Sequence, residues 1–375
     1  MLKCKEFSEI CKKNNMTFFT GVPDSTYKSW MSFLNKKNTG LENIIAVNEC
    51  EAIAICAGYH LATGKFGVVY MQNDGFGKTV NPLTSLCNPE VYNIPMLLMI
   101  GWRGEPGKKD APQHHMIGRL LTDLLDTFEI QYEIIPPDVK KVDSIIKKAK
   151  NFMQKNSKPF AIIVKKGIFE DSKDEKPRKQ KLMTREDAIK TIMKNLDGHE
   201  IIVSTTGKTS RELFEYRKEN DTQFNHDFYN IGAMGCAQSI ALGISLQKKK
   251  NKVFVFDGDG SVLMQMGSLA TTGHYAPDNF YHIIFDNNAH DSTGGQPSSS
   301  DSIDFEKIAL ASNYKHAETV DNEKSLASSL KKIKGKKGPC MIIVNIDKGA
   351  RINLGRPTMT PQDHKKEFMK YLDRM

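Results

Sequence analysis

The sequence lacks the features of a secreted, membrane-anchored or disulfide-stabilised protein. Its longest apolar run, 95–100, is far too short to cross a bilayer. The first residues, MLKCKEFSEICKKNN, contain no apolar core of a signal sequence. The 7 cysteines are odd in number, scattered and without a CxxC pair, so neither a disulfide framework nor a zinc site is predicted. We therefore expect a cytoplasmic protein with reduced thiols.

Positive charge is in excess, but it is not arranged as it is in nucleic-acid-binding proteins. The net charge is +9, and much of it lies in runs such as 248–250 and 331–337, which we expect to be solvated faces at helix ends. No nucleic-acid motif or aromatic-interleaved basic stripe accompanies these runs. We therefore predict neither nucleic acid nor membrane as a partner, and a small anionic substrate stays possible.

The length and the pattern of the chain predict two α/β domains. A chain of 375 residues with 39% hydrophobic and 26% charged residues suits two globular domains of middling size. Short apolar runs alternate with amphipathic stretches of helical length, which predicts βα units and a doubly wound parallel sheet in each domain. The predicted strands are 16–22, 43–47, 66–71, 95–100, 131–135 and 160–164 in the first half, and 200–206, 227–232, 252–258, 280–287 and 340–346 in the second.

The predicted domain boundaries follow from one segment with almost nothing to bury. Residues 171–181, DSKDEKPRKQK, are charged and contain a proline, which is typical of a linker. We predict a first domain at 1–170, a linker at 171–183, and a second domain with a C-terminal tail at 184–375.

The most informative motif follows the strand that ends in GDG. The glycines Gly258 and Gly260 let backbone N–H groups approach a phosphate closely at a strand end, where α/β domains bind ligands. Asp259 offers a carboxylate oxygen, and Asn287, at the end of the next strand, offers an amide oxygen. The two strand ends can therefore bracket a Mg²⁺ ion that also binds phosphate oxygens, and the carbonyl of Ala289 can complete the ligand set.

Taken alone, GDG is a tight turn and DNN is a polar strand exit. Two competing phosphate motifs fail, because GKTS at Gly207 and GKT at Gly77 lack the upstream glycine of a P-loop. GDG also lacks the third glycine of a dinucleotide fingerprint. The GDG and NN pair, each closing an apolar strand and separated by a segment of helical length, resembles the diphosphate and Mg²⁺ signature of thiamine diphosphate enzymes.

The first half contains the matching element for the aminopyrimidine ring. In VNECEAIAICAGYHLATG, Glu49 follows a strand and opens a helix of small residues ending in AGY, as in this family. The resemblance implies that Glu49 hydrogen-bonds a pyrimidine nitrogen and acts in general acid–base catalysis. Glu51 is the alternative, although its side chain points elsewhere on a helix. Met234 resembles the family's bulky wedge beneath the cofactor, with the Gly232 carbonyl beside it, although a lone methionine is usually core filler.

Longer stretches resemble the phosphonopyruvate decarboxylases and the related sulfopyruvate decarboxylases. They are FFTGVPDS, VNPLTSLCNP, IGWRGEPGKKDAPQHH, VSTTGKTSRELFEYR, HDSTGGQPS and LGRPT, and they span both halves. Two positions depart from the family pattern: Asp74, where a small hydroxyl residue is usual, and Ala111, where an acid is usual.

The resemblance implies a cofactor, a reaction and an assembly. It implies thiamine diphosphate and Mg²⁺, decarboxylation of 3-phosphonopyruvate, and a homodimer with active sites at its interface. Sulfopyruvate decarboxylation, carboligation and non-catalytic binding stay open as alternatives. The implied cofactor-binding residues are Glu49, Thr206, Gly207, Gly232, Met234, Gly258, Asp259, Gly260, Ser261, Asn287 and Ala289. The predicted proton-handling residues are Asp24 and His114, and the substrate candidates are Ser25, Arg103, Lys108, Lys109, His290, the amide-rich stretch 294–296 ending in Gln296, and Arg356.

Overall fold

The computed structural model describes residues 1–171, 181–220, 222, 225–351 and 353–375. The chain divides into two compact units, Met1–Lys176 and Pro177–Met375. Most of the predicted linker, residues 172–180, lies outside the described residues. The predicted boundaries at 170 and 184 stay a prediction.

The first unit is built on a parallel sheet of six strands in the order β2-β1-β3-β4-β6-β5. Its strands are β1 Phe18–Gly21, β2 Glu42–Ile45, β3 Val68–Gln72, β4 Leu97–Gly101, β5 Gln131–Ile134 and β6 Phe160–Val164. Strands β4 and β6 are buried along their whole length, as expected for central strands with helices on both faces. Strand β2 lies on one side of β1 and strand β3 on the other. The direction in which successive strands are added to the sheet therefore reverses between β1 and β3. Ligands bind at such a reversal point in open α/β sheets.

Helices cover both faces of this sheet. They are α1 Cys4–Lys13, α2 Lys28–Leu34, α3 Glu49–Thr63, α4 Val80–Pro82, α5 Pro112–Thr127 and α6 Val139–Asn156, with 3₁₀ helices at Ser25–Tyr27 and Asn73–Thr79 and a π-helix at Leu83–Cys87. Local sequence explains their ends. Asn48 caps α3 by accepting a hydrogen bond from the Glu51 N–H, and Gly64 ends it in the left-handed conformation.

The second unit repeats the same arrangement. Its strands are β7 Ile201–Ser204, β8 Asp227–Tyr229, β9 Val253–Gly258, β10 Phe280–Asp286, β11 His316–Val320 and β12 Cys340–Asn345. Their order, β11-β12-β10-β9-β7-β8, is the order of the first sheet read from the other edge. The prediction of an α/β fold with two doubly wound parallel sheets is confirmed. The sequence analysis missed β11, because this edge strand, HAETV, has only one buried residue and therefore forms no apolar run.

The helices of the second unit are α7 Arg185–Asn195, α8 Lys208–Glu219, α9 Ala237–Gln247, α10 Asp259–Met264, α11 Gly267–Tyr275, α12 Phe305–Ala311, α13 Glu323–Ile333 and α14 Pro361–Asp373, with a 3₁₀ helix at Ser300–Ser302. The C-terminal α14 packs aromatic side chains on β8, with the ring centroids of Phe228 and Phe368 5.5 Å apart. Within the described ranges, no helix has both the length and the apolar character needed to cross a membrane.

Candidate active site

Glu49 is the first residue of α3, at the carboxyl end of the first sheet. It is buried, and its Oε2 has no hydrogen-bond partner among the described residues. The Lys78 Nζ lies 3.7 Å from Oε2. On the other side Gly75 is in close contact, since a Cβ there would lie 2.2 Å from Oε1. A buried carboxylate oxygen without a partner suits a ligand that brings its own donor, so this observation fits the pyrimidine of the implied cofactor.

Glu51 has a different environment. It is exposed, and its Oε2 accepts a hydrogen bond of 2.7 Å from the Val47 N–H. This carboxylate therefore stabilises the start of α3, a structural role that separates it from Glu49.

Asp24 follows β1 and is fully buried. Its Oδ1 accepts hydrogen bonds from the Gln72 Nε2 at 2.7 Å and the Thr26 N–H at 3.2 Å. Its Oδ2 has no partner among the described residues, and a Cβ at Gly101 would lie 1.8 Å from it. Burial raises the pKa of Asp24, because the charged carboxylate loses its hydration. Asp24 thus combines an N-cap role for the 3₁₀ helix with a buried oxygen that has no hydrogen-bond partner among the described residues.

Arg103 follows β4 and is tied to the loop that precedes α5. Its guanidinium makes two hydrogen bonds to Asp110, of 2.8 and 2.6 Å, and its Nη1 donates to the Ser25 Oγ at 3.2 Å. These bonds hold the pKa of Asp110 well below its usual range. Asp110 also accepts from the Ala111 N–H at 2.8 Å. The family pattern has an acid at position 111, where this chain has alanine. In this chain the preceding residue, Asp110, is the acid, and it binds Arg103.

His114 lies in the first turn of α5 and is buried. Its Nδ1 lies 2.8 Å from the Oδ2 of Asp74, one of the two positions that depart from the family pattern. The structure thus brings five of the predicted residues to the carboxyl ends of the strands of the first sheet: Asp24, Ser25, Glu49, Arg103 and His114. Lys108 and Lys109, also predicted there, are exposed.

In the second unit, the loops after β7, β8 and β9 meet through one hydroxyl. The Ser261 Oγ lies 2.9 Å from the Thr205 Oγ1 and accepts a hydrogen bond of 3.0 Å from the Gly235 N–H. Thr206 and Gly207 form the turn into α8, where Gly207 adopts a φ of +95° that favours glycine. The sequence analysis singled out Thr206, but the hydroxyl that contacts Ser261 belongs to the neighbouring Thr205.

Met234 and His290 both face Gly260. A Cβ at Gly260 would lie 2.8 Å from the His290 Cε1 and 3.6 Å from the Met234 Cε. The Gly232 carbonyl accepts a hydrogen bond from the Met234 N–H at 2.8 Å and belongs to an exposed residue. Burial lowers the pKa of His290 to about 4. His290 is therefore neutral at physiological pH, so it can offer a hydrogen bond but no positive charge.

Asp259 opens α10 directly after Gly258 and is buried. Its Oδ2 accepts hydrogen bonds from the hydroxyls of Ser298 and Ser300. Burial, together with the nearby carboxylate of Asp286, raises the pKa of Asp259 to about 6. A cation beside these two carboxylates would offset the charge that burial disfavours, so the donor set fits a hard metal ion.

Asn287 is oriented by its neighbours. Its Nδ2 donates to the Asp291 Oδ2 at 2.7 Å, and its Oδ1 accepts from the Ala289 N–H at 3.0 Å. Asp291 is itself held by the Gly349 N–H at 3.1 Å. The Ala289 carbonyl accepts from the Asp291 N–H at 3.1 Å. These bonds point the amide oxygen of Asn287, and not its nitrogen, away from Asp291.

Among the described residues, no cluster of three or more His, Cys, Asp and Glu side chains could hold a metal ion. The predicted ligands do not require such a cluster, because only Asp259 contributes a carboxylate. Asn287 would contribute an amide oxygen and Ala289 a backbone oxygen.

The remaining substrate candidates are Gln296 and Arg356. Gln296 lies beside His290, because its carbonyl accepts a hydrogen bond of 2.8 Å from the His290 N–H. It is buried, and among the described residues its side chain hydrogen-bonds to the hydroxyl and carbonyl of Thr293. Arg356 is exposed on the C-terminal tail, and its charge lowers the pKa of Arg211 in addition to the effect of burial. Neither side chain contacts the predicted cofactor residues through a described hydrogen bond.

Several residues that shape the site carry no sequence signal of their own. Asp74, Lys78 and Asp110 look like ordinary loop charges until the fold brings them beside His114, Glu49 and Arg103. Ser298, Ser300 and Asp291 are likewise found only from their contacts. Asp74 is the exception to this, because its departure from the family pattern marked the position, although it did not predict its partner.

Comparison with known families agrees with this geometry. Residues 5–126 match the N-terminal TPP binding domain of thiamine pyrophosphate enzymes, and residues 205–344 match the C-terminal TPP binding domain. The protein therefore belongs to the class of thiamine pyrophosphate enzymes, and its cofactor is thiamine diphosphate.

Curated relatives narrow the class. The chain is 34% identical to the phosphonopyruvate decarboxylase of Streptomyces viridochromogenes over 88% of this chain and 85% of that protein. It is 34% identical to the phosphonopyruvate decarboxylase of Streptomyces hygroscopicus, over 88% and 84%. It is 29% identical to the sulfopyruvate decarboxylase of Methanosarcina acetivorans, over 97% and 96%. The chain belongs to the family of thiamine pyrophosphate-dependent decarboxylases that contains these enzymes, and the resemblance predicted from its motifs is confirmed.

Proposed function

We propose that this protein converts 3-phosphonopyruvate to phosphonoacetaldehyde and CO₂, a step of phosphonate biosynthesis. The observation that carries the proposal is the 34% identity to phosphonopyruvate decarboxylases across both units, together with a buried Glu49 whose Oε2 has no hydrogen-bond partner among the described residues. Thiamine diphosphate, when bound, supplies the nucleophilic carbon and the electron sink of the reaction.

The residues of the chain have separate roles in this proposal. Glu49 holds and exchanges a proton at the pyrimidine ring. Asp259, Asn287 and the Ala289 carbonyl hold a Mg²⁺ ion that neutralises the diphosphate. The backbone around Gly258 and Gly260, with the hydroxyls near Ser261, binds the diphosphate oxygens.

The substrate carries anionic groups at both ends, which require cationic or N–H-rich surroundings. Arg103 is the best-placed candidate, because its guanidinium is held at the edge of the first sheet and reaches the Ser25 hydroxyl. Its charge is largely matched by Asp110, so a substrate anion would share or replace that contact. Arg356 and Gln296 stay weaker candidates.

Sulfopyruvate is the alternative substrate, because the Methanosarcina acetivorans sulfopyruvate decarboxylase matches 97% of this chain. A steady-state panel of phosphonopyruvate, sulfopyruvate, pyruvate and oxaloacetate, with CO₂ and aldehyde both measured, tests the proposal. We expect the highest kcat/KM for phosphonopyruvate. A higher value for sulfopyruvate would reassign the substrate, and condensation products in place of free aldehyde would indicate a carboligase.

We also propose that the enzyme works as a homodimer with its sites at the interface, as in the thiamine enzymes it resembles, and that it is cytoplasmic. In such a dimer the Glu49 and Asp259 of one site come from different subunits. Mixing inactive Glu49→Gln and Asp259→Ala chains under conditions of subunit exchange should restore about half of the sites in each heterodimer. If exchange is verified by mass and the mixture stays inactive, the interface model is wrong.

A further inference from the structure

The Asp74–His114 pair is a feature of this chain that the family pattern does not predict. Asp74 lies in the 3₁₀ helix Asn73–Thr79 after β3, and His114 lies in the first turn of α5. The Asp74 Oδ2 and the His114 Nδ1 are 2.8 Å apart. The imidazole side chain is 10% exposed and the carboxylate side chain 31% exposed. The pair is thus a partly desolvated contact in which the carboxylate is the more exposed partner.

The chemistry of the pair fixes where the imidazole proton lies. A carboxylate has no proton to donate, so the His114 Nδ1 must carry the hydrogen of this bond. The lone pair of the neutral ring is then on Nε2. The Nε2 of Gln113, an amide donor, lies 3.5 Å from the ring Nε2, in agreement with an accepting nitrogen at that position.

Both partners are held by backbone contacts that leave little freedom. A Cβ at Gly104 would lie 1.9 Å from the His114 carbonyl oxygen, so the start of α5 packs directly on that glycine. Asn73 makes two hydrogen bonds to the backbone of Arg103, of 2.7 and 3.0 Å. The loop that carries Asp74 is therefore fastened to the loop that leads to His114.

The same 3₁₀ helix also reaches the predicted acid–base residue. Gly75, next to Asp74, packs on the carboxylate of Glu49, and Lys78 lies 3.7 Å from it. One short segment therefore sets the position of His114 and contacts Glu49.

We propose that Asp74 is a positioning residue that fixes the tautomer and ring orientation of His114, so that Nε2 delivers the proton which completes decarboxylation. The inference rests on the proposed function. When CO₂ leaves, the bond to the carboxylate carbon breaks and its electron pair stays on the substrate side. The aldehyde then needs one proton at that carbon. Neutral His114 first takes a proton from solvent at Nε2, while Asp74 continues to accept the hydrogen bond from Nδ1–H. His114 then gives the Nε2 proton to this carbon and returns to the neutral tautomer with its hydrogen on Nδ1.

The first test measures the tautomer directly. We expect ¹⁵N NMR of histidine-labelled holoenzyme without substrate to show the Nδ1–H form of neutral His114 in the wild type. Asp74→Ala removes the acceptor and should shift the ring towards the Nε2–H form. Asp74→Asn keeps the shape of the side chain but can turn its amide N–H₂ towards Nδ1, so it should also shift the ring towards the Nε2–H form. An unchanged tautomer in Asp74→Ala would overturn the inference, and this readout does not depend on which substrate is used.

The second test couples the two residues. Asp74→Ala should lower kcat by roughly 10- to 100-fold with little change in KM, less than the roughly 10²–10⁴-fold loss on His114→Gln. In the His114→Gln background, Asp74→Ala should cost nothing further. Equal losses in both backgrounds would show that Asp74 acts elsewhere.

Two matched variants complete the design. Asp126→Ala removes an exposed carboxylate from the other end of α5 and should leave kcat and the His114 spectrum unchanged. If Asp74→Ala does not fold, Asp74→Leu, which is closer in size to aspartate and has no acceptor, takes its place in both tests. A failure of the proposed substrate would appear as absent CO₂ release in the wild type, while the tautomer experiment would still decide the role of Asp74.

Discussion

The two units share one strand order but place different types of residue at the ends of their strands. In each sheet, candidate residues follow the first, second, third and fourth strands of the unit. In the first unit these loops carry Asp24, Glu49, Asp74 and Arg103, all ionisable. In the second they carry the Thr206–Gly207 turn, the 232–235 loop, Asp259 and Asn287, in which glycines and small polar groups predominate. The fold thus supplies four equivalent positions, and we propose that the residue types decide whether a position transfers protons or binds phosphate and metal.

The clearest contrast is between the two acids that open helices at these positions. Glu49 opens α3 with one oxygen that has no hydrogen-bond partner among the described residues and lies 3.7 Å from the Lys78 Nζ, whereas the Oδ2 of Asp259 in α10 is held by two serine hydroxyls. A carboxylate that exchanges protons needs a free oxygen, and a metal ligand needs a fixed orientation. We therefore expect mutations of the two acids to fail in different ways.

The largest effect is expected for Asp259→Ala. Without this oxygen the diphosphate charge is poorly neutralised, so the variant should lose both cofactor binding and activity. Calorimetry with thiamine diphosphate and Mg²⁺ measures the loss, and Asp321→Ala, which removes an exposed carboxylate of the same unit, is the control. Unchanged affinity of Asp259→Ala for thiamine diphosphate would contradict the proposal that the second unit binds the diphosphate and the first transfers protons.

Glu49→Gln should show the opposite pattern, with the cofactor bound and turnover reduced by a factor on the order of 10²–10⁴. Calorimetry and steady-state rates on the same preparation separate the two effects. Glu51→Gln is the matched control, because Glu51 lies two residues away and bonds only backbone in the described structure. Near-normal activity in Glu49→Gln would transfer the acid–base role to another residue.

A third prediction extends the comparison to stability. In the second unit Arg185 and Glu212 form a buried ion pair with side-chain exposures of 7% and 1%, whereas Arg103 and Asp110 in the first unit are 21% and 18% exposed. Glu212→Ala leaves a buried guanidinium without its main partner and should lower the free energy of unfolding by about 3–5 kcal/mol. Asp110→Ala breaks a more exposed pair and should cost less, about 1–2 kcal/mol. Urea denaturation measures both, and similar values would contradict the difference in burial.

The smallest effect is expected for Asp24→Asn, which should raise the free energy of unfolding where the two preceding variants lower it. Burial raises the folded-state pKa of Asp24 above its unfolded value, so the folded protein is favoured at low pH and this contribution is lost as the pH rises through the folded pKa. A neutral amide keeps the acceptor for Gln72 and Thr26 and avoids the charge. Asp24→Asn should therefore be slightly more stable than wild type at pH 7 and equal to it at low pH, in denaturation curves at the two pH values. Lower stability at pH 7 would mean that Asp24 is paired as an anion.

The sequence predicted the fold and the kinds of residue better than their contacts. Eleven predicted strands were sufficient to predict two doubly wound sheets. The GDG and NN motifs at strand ends were sufficient to predict a thiamine enzyme, which the family comparison confirmed. These signals are local, because apolar runs and glycines report backbone geometry directly. The partners of His114, Arg103 and Asn287 were not predicted, because each contact joins segments or orientations that only the folded loops define. Gln296 shows the same limit: an amide in a family-matching loop turned out to bond Thr293.

Gly75 has a consequence for experiments that substitute every residue in turn. It has no side chain with which to do chemistry, yet any larger residue would place its first carbon 2.2 Å from the Glu49 carboxylate. In a saturation library selected for growth, position 75 would therefore tolerate almost nothing and would score like a catalytic residue. Such a tolerance map records occupied space as well as reactivity, and only the neighbouring atoms tell the two apart.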